Sequence, residues 1–186
     1  MARNIITGID AGSSVTRVVV AEERKGAAPY ILAAVSKPAS GIRKGYVTDI
    51  DSVSQSIMSA IKSAEKIAGV EIKHAYLAVG GISLGSVKAK ESATISRADG
   101  EISEFEVKRL LEQCEASLTN IANKHILHRV PLSYRVDSAA IMGRPVGMKG
   151  TKLEAEVLFM TSLSQHVEDL VRATENTGIA IEDVVA

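Results

Sequence analysis

The sequence predicts an α/β fold built in two parts, and three stretches predict it. Residues 5–20 run as an apolar strand (Ile5, Ile6, Ile9) into Asp10, turn through Gly12-Ser13-Ser14, and leave as a valine-rich second strand. Val53, Ile57, Ile61, Ala64 and Ala68 recur at three- and four-residue steps, the single buried stripe of an amphipathic helix. From Ser83 the texture changes to a loosely alternating strand, followed at Ser103 by a second, well-capped helix.

The elements follow in order. Val15 to Glu23 continues the second strand, and Val18, Val19 and Val20 suggest burial on both of its faces. Lys25-Gly26 reads as a hairpin turn, and Tyr30 to Ser36 as a third antiparallel strand. Residues 38–45 form a loop with one proline and two glycines. Asp49 or Asp51 caps a helix over 51–68, with Gly69 beyond its end. Val70 to Val79 is a strand ending at Gly80-Gly81, glycines that suit a tight turn or a hinge.

Residues 83–96 make a half-exposed strand. Ser103-Glu-Phe-Glu106 is a capping box, with Ile102 and Val107 as its hydrophobic staple. Val107, Leu110, Leu111, Cys114, Leu118 and Ile121 then line one helical face, which makes Cys114 a small buried hydrophobe rather than a nucleophile. His125 to Asp137 is a strand, and His125 and His128, three apart, point to opposite faces, poor geometry for one metal ion. A loop over 143–150 leads to a strand over 151–161 with Leu153, Ala155, Val157 and Phe159 on one face. A helix over 165–177 with Val167, Leu170, Val171 and Thr174 inward, and a strand over 179–185, complete the reading.

Composition narrows the function classes. Acidic and basic residues balance at 22 each, so no general field draws nucleic acid or an anionic surface. Hydrophobic residues make up 46% of the 186, with no tryptophan, so the core is aliphatic. No apolar run approaches the roughly 20 residues that cross a bilayer, and no signal-peptide core precedes the first strand. The single cysteine excludes an internal disulfide framework, and a cytoplasmic setting is expected.

The chemistry concentrates in the first turn. Gly12 lets the backbone approach a phosphate without a Cβ, and the amides of Gly12, Ser13 and Ser14 can converge into a small anion nest. Asp10, at the mouth of the strand, suits the water shell of Mg²⁺, an ion that dehydrates reluctantly. A plain surface hairpin has the same letters.

This turn resembles the first phosphate loop of the actin, Hsp70 and sugar-kinase superfamily, with Arg17 where many members carry a phosphate-facing lysine. Six segments in all resemble one branch, the FtsA family of bacterial cell-division proteins. They are Gly41-Ile-Arg-Lys-Gly-Tyr-Val-Thr-Asp49, Ala75-Tyr-Leu-Ala-Val-Gly-Gly81, the run 128–137, Pro145-Val-Gly-Met-Lys-Gly150, Leu153-Glu-Ala-Glu-Val-Leu158, and the superfamily turn itself.

The resemblance implies an actin-like (ribonuclease H-like) half-domain. Residues 1–82 and 163–186 would be parts of domain 1A, and 83–162 the inserted small α+β domain 1C. It implies ATP with Mg²⁺ as cofactor, held at Asp10, Gly12, Ser13, Ser14 and Arg17. For the full-length family it also implies FtsZ and other division proteins as partners, the FtsZ-tail site lying on a domain 2B that these residues lack, and a place at the cytoplasmic face of the inner membrane at the division site.

The family's second phosphate loop, adenosine motif and amphipathic membrane helix have no counterpart in these residues. Either a truncation or a stand-alone derivative is expected, supplying half of an ATP site and little or no nucleotide affinity alone. An alternative is a pilus-assembly homologue of the PilM type, and a more distant one an ATP-dependent sugar or acetate kinase. A kinase needs a carboxylate facing an acceptor hydroxyl, and nothing in the sequence sets Asp137 or Glu154 opposite Asp10. Ser86, Lys88 and Lys90 alternate along the strand after Ser83 and mark 1C as a surface for self-association or a division partner. Lysines that merely keep a free strand edge soluble would read the same way.

Overall fold

A computed structural model of the chain describes residues 4–186. Its elements are β1 (Ile5–Ala11), β2 (Val15–Glu22), β3 (Tyr30–Pro38), β4 (Ile42–Arg43), β5 (Tyr46–Val47), α1 (Ile50–Ala68), β6 (His74–Ala78), β7 (Gly85–Thr94), α2 (Glu104–Ala116), β8 (Lys124–Val136), β9 (Ala139–Ile141), β10 (Lys152–Leu163), α3 (Ser164–Glu175) and β11 (Ala180–Val185). The chain divides into two compact units, Met1–Leu84 with Ser162–Ala186, and Gly85–Thr161.

The first unit is a five-stranded sheet in the order β11-β6-β1-β2-β3. Short turns join β1, β2 and β3 as antiparallel neighbours, whereas β6 lies parallel to both β1 and β11. Cross-strand partners share a face, and Thr7 with Val20, Ile9 with Val18, and Ala11 with Thr16 are all buried together. Helix α1 covers this face with Val53, Ile57, Ala60, Ile61 and Ala64. Each fully buried Val, Leu or Ile here contributes about 1.5–3 kcal/mol.

Asp49 is the residue that caps α1, accepting the amides of Asp51 and Ser52, and Gly69 closes it at φ 67°. Helix α3 packs beside α1 and buries Val167, Leu170, Ala173 and Thr174.

Two expectations for this unit need correction. Val18 and Val20 are wholly buried but Val19 is 39% exposed, so β2 is buried on one face only. A run of three valines reports β-propensity as well as burial, and here the alternation of the pleat decides. The segment 38–45 is not all loop. Ile42–Arg43 and Tyr46–Val47 pair as a miniature hairpin through Lys44 and Gly45, both at positive φ (51° and 80°).

The second unit is a four-stranded sheet, β7-β10-β8-β9, carrying α2 on one face. Ser103 and Glu106 complete the capping box reciprocally, and Ile102 and Val107, 0% and 2% exposed, close over it. Leu110 and Cys114 pack onto Leu153, Ala155, Val157 and Phe159 of β10. The helix ends at Ala116, a turn earlier than its apolar stripe suggests, and Leu118 reaches the core from beyond the end.

Strand β9 escapes the sequence reading because Asp137 and Ser138 make the turn with φ of 48° and 71° and neither is a glycine. Asp137 fastens that turn, accepting the amides of Thr151 and Lys152 and the Thr151 hydroxyl. These donors hold its carboxyl below the usual carboxylate range, the Thr151 hydroxyl foremost.

Candidate functional site

Where β1 ends, the first unit has a cavity of about 330 Å³ lined by Asp10, Ala11, Gly12, Ser13, Ile42, Lys44, Gly45, Gly80, Gly81, Ile82 and His166. Four pieces of chain build it. The β1–β2 turn brings Asp10, Gly12 and Ser13; the β4–β5 hairpin brings Lys44 and Gly45. The segment after β6 brings Gly80–Ile82, and the first turn of α3 brings His166.

The pieces are keyed together by backbone. The Gly45 amide donates to Ser13 Oγ at 3.1 Å. A Cβ on Gly45 would lie 2.7 Å from Gly81 Cα, and one on Gly81 2.9 Å from Gly45 Cα. Both glycines have positive φ, 80° and 99°, so glycine is required there for conformation and for space alike.

The residues singled out from the sequence separate into two groups. Asp10, Gly12 and Ser13 line the cavity. Ser14 and Arg17 are not among its lining residues. The Ser14 carbonyl accepts the Ala39 amide at 3.0 Å, and Arg17 Nη1 reaches Asp10 Oδ2 at 3.0 Å. That pair is half exposed, at 58% and 48%, and spans the β1–β2 register opposite the buried face.

The Gly12 amide donates to the Val15 carbonyl at 3.0 Å, closing the turn, so the nest expected from three free amides has one already engaged. Ser13 Oγ accepts from Gly45, and its hydroxyl proton remains available as a donor.

The sequence reading passed over Lys44 and His166. Lys44 stands at the tip of the hairpin, exposed, and supplies a cation at the rim. Its signal was the pattern Ile-Arg-Lys-Gly-Tyr-Val, two short apolar runs about a two-residue turn ending in glycine. His166 is 4% exposed, and its Nδ1 has no hydrogen-bond partner. Its ring stands edge-on to Tyr46, centroids 6.1 Å apart at 67°. Burial pushes its pKa down, opposed by the backbone at Gly80 and the charge of Asp169. A lone histidine next to Val167 in a helical stripe carries no such message in sequence.

The donor set fits a phosphate and a hydrated cation: a carboxylate, a serine hydroxyl, close backbone and a rim ammonium. The cavity lies at the small end of the range for sites that enclose a whole ligand, a size suited to a polyphosphate tail rather than an entire nucleotide. Among the described residues no group of three His, Cys, Asp or Glu could hold a metal ion directly.

In the second unit, β7 is an edge strand. Ser86, Lys88 and Lys90 lie on the exposed face of the sheet while Ala93 turns to the core. Lys88 Nζ sits 3.5 Å from Glu156 on the neighbouring β10.

Comparison with known proteins bears on both units. Residues 81–161 match the family described as the SHS2 domain inserted in FtsA. The cell division protein FtsA of Borreliella burgdorferi is 31% identical over 185 residues, all of this chain and 45% of the relative. FtsA of Pseudomonas aeruginosa is 29% identical, covering 97% of the chain and 43% of its own length. FtsA of Escherichia coli K12 is 24% identical over 98% of the chain and 43% of its own length.

Among solved structures, the PilM-PilN type IV pilus biogenesis complex superposes with a TM-score of 0.61 over the whole chain and 48% of its own, at 12% identity, a likeness of fold. The chain thus spans a little under half the length of the curated relatives it matches. A sheet that opens with three antiparallel strands, an inserted SHS2 domain and similarity along the whole chain agree: this is the N-terminal portion of an FtsA-family protein, with the actin-like α/β fold.

Proposed function

We propose that the chain is half of an actin-like cell-division protein, contributing one wall of an ATP site and one interaction module to a larger FtsA-type tether of the FtsZ ring. The observation that carries this reading is the coincidence of two things. The β1–β2 turn opens onto a cavity with carboxylate, hydroxyl and ammonium groups, and the whole chain is similar to FtsA relatives.

In this reading residues 1–82 and 163–186 form domain 1A and 83–162 form domain 1C. Mg-ATP supplies the phosphate and cation that the cavity is built to hold. Asp10 orients the water shell of the cation, the Gly12–Ser14 backbone and the Ser13 hydroxyl hold the phosphate, and Arg17 and Lys44 supply positive charge at the two sides. Arg17 does so by exchanging its Asp10 partner for phosphate. No residue is assigned to activate water.

Among the described residues no helix is long and apolar enough to cross a membrane. In this reading a place at the cytoplasmic face of the inner membrane belongs to the full-length protein. Ser86, Lys88 and Lys90 present the surface for self-association or a division partner. Nucleic acid is not a partner in this reading.

Two measurements test it. Isothermal titration of Mg-ATP into the chain alone should give weak binding, detectable only at millimolar nucleotide, because a single phosphate loop supplies one wall; sub-micromolar affinity would overturn the half-site assignment. Reversal of charge at Lys88 and Lys90 together should leave the fold intact and weaken pull-down of a division partner that docks on this unit. Undiminished capture by the double variant would place the interface elsewhere.

A further inference from the structure

We infer that His166 is the proton-exchanging wall of the phosphate cavity: its imidazole meets a bound phosphate, or the water beside it, and takes up a proton when that anion binds. The inference rests on the phosphate reading of the cavity and adds to it a residue and a pH response.

Three observations carry it. His166 lines the cavity together with Asp10, Gly12 and Ser13. It is 4% exposed, yet its Nδ1 has no partner, and a buried polar atom left unpaired in a packed interior asks for a missing ligand or water. It stands in the first turn of α3, a twelve-residue helix whose N-cap, Leu163, has no side chain that satisfies the first amides. The positive end of that helix favours an anion beside it. A histidine wanted only for packing would need none of these conditions, and its edge-on contact with Tyr46 could be met by phenylalanine.

The charges around the ring set the direction of the response. Asp169 follows one turn later on α3, Asp10 faces the cavity from β1, and Lys44 faces it from the β4–β5 turn. Tyr46 contributes its ring from β5, and Gly80 its backbone from the end of β6. Asp10 is already paired with Arg17, and the charge of Asp169 does not offset the burial of the ring. A bound polyphosphate supplies further negative charge. Proton and anion therefore bind cooperatively, and each must favour the other equally.

The test uses the chain itself and inorganic tripolyphosphate, which has the phosphates of a nucleotide without its base. Ring ¹H–¹³C signals of the four histidines are followed against pH with and without the anion, His166 being assigned by the signal lost in His166→Gln. With the anion, the His166 midpoint should rise by about one unit while His74, His125 and His128 hold still. Affinity should then gain up to about tenfold between about pH 8 and pH 5.5, a gain that His166→Gln removes.

If the Gly12–Ser14 amides shift with tripolyphosphate but the His166 midpoint does not, the cavity reading stands and this inference fails. If those amides do not respond at millimolar anion, both fail. Should His166→Gln not fold, contact between the His166 and Tyr46 rings assigns the signal in the wild-type chain, and the midpoint decides.

Discussion

Gly45 and Gly81 meet backbone to backbone, and that contact holds the Lys44 hairpin against the segment after β6. Gly45→Ala puts a Cβ within 2.7 Å of Gly81 Cα at a φ of 80°. Denaturant melting should show a loss of about 2–3 kcal/mol, the upper part of the range for stored backbone strain. Gly69→Ala, also left-handed at φ 67° but with nothing within 4 Å of the added carbon, is the control. It should lose only the conformational part, about 1 kcal/mol.

His166 makes a different kind of prediction. Its folded-state pKa lies below the ordinary 6.5 because burial disfavours the charged ring. The unfolded chain then binds a proton that the folded chain refuses. Stability is complete above the unfolded value and is lost as pH falls through it, down to the folded value. Urea midpoints of the anion-free chain should drop from about pH 7 to about pH 5, and more steeply than those of His166→Gln. No position in the sequence announces this. A histidine's environment comes from residues far away in the chain, here Tyr46 and Gly80, brought to it by α3.

At the scale of elements, Ser103 shows what a sequence can say well. The capping box and its staple are local, written within six residues, and the structure has both. Ser103→Ala should cost about 1 kcal/mol, read as a lower unfolding midpoint of the second unit. The stripe of α1, its Asp49 cap and its Gly69 terminus are legible for the same reason.

The miniature β4–β5 hairpin, for all its Lys-Gly turn, and β9 were both missed in the sequence. Both are short, and both turns draw on left-handed residues other than glycine, Lys44 in one and Asp137 and Ser138 in the other. Asp137 holds its turn through three donors from Thr151 and Lys152, residues a strand away in sequence. Asp137→Ala should detach that turn, and amide exchange should quicken at Ala139–Ile141 before it does on β10. Of the β1–β2 turn, the residue types were legible, but the engaged Gly12 amide and the Asp10–Arg17 pair were not. Pairing across a hairpin depends on register, which letters alone leave open.

For the whole molecule, two separately clustered cores imply two separable folding units. The second has a buried set of its own, with Ile102, Leu110, Leu153, Val157 and Phe159 all at 0% exposure. Residues 85–161 expressed alone should give a dispersed amide spectrum and a cooperative melt; a collapsed spectrum would show that this core depends on the rest of the chain.

That core also contains the chain's single cysteine. Cys114 is fully buried, and burial pushes its thiol above the ordinary range, so the thiolate that attacks an alkylating reagent is scarce in the native state. The protein therefore has a silent tag in one unit and none in the other. In pulsed maleimide labelling, the wild-type chain should gain mass only when Gly85–Thr161 opens. Unfolding confined to the first unit would pass unlabelled, and the order in which the two halves come apart could be timed without introducing a probe.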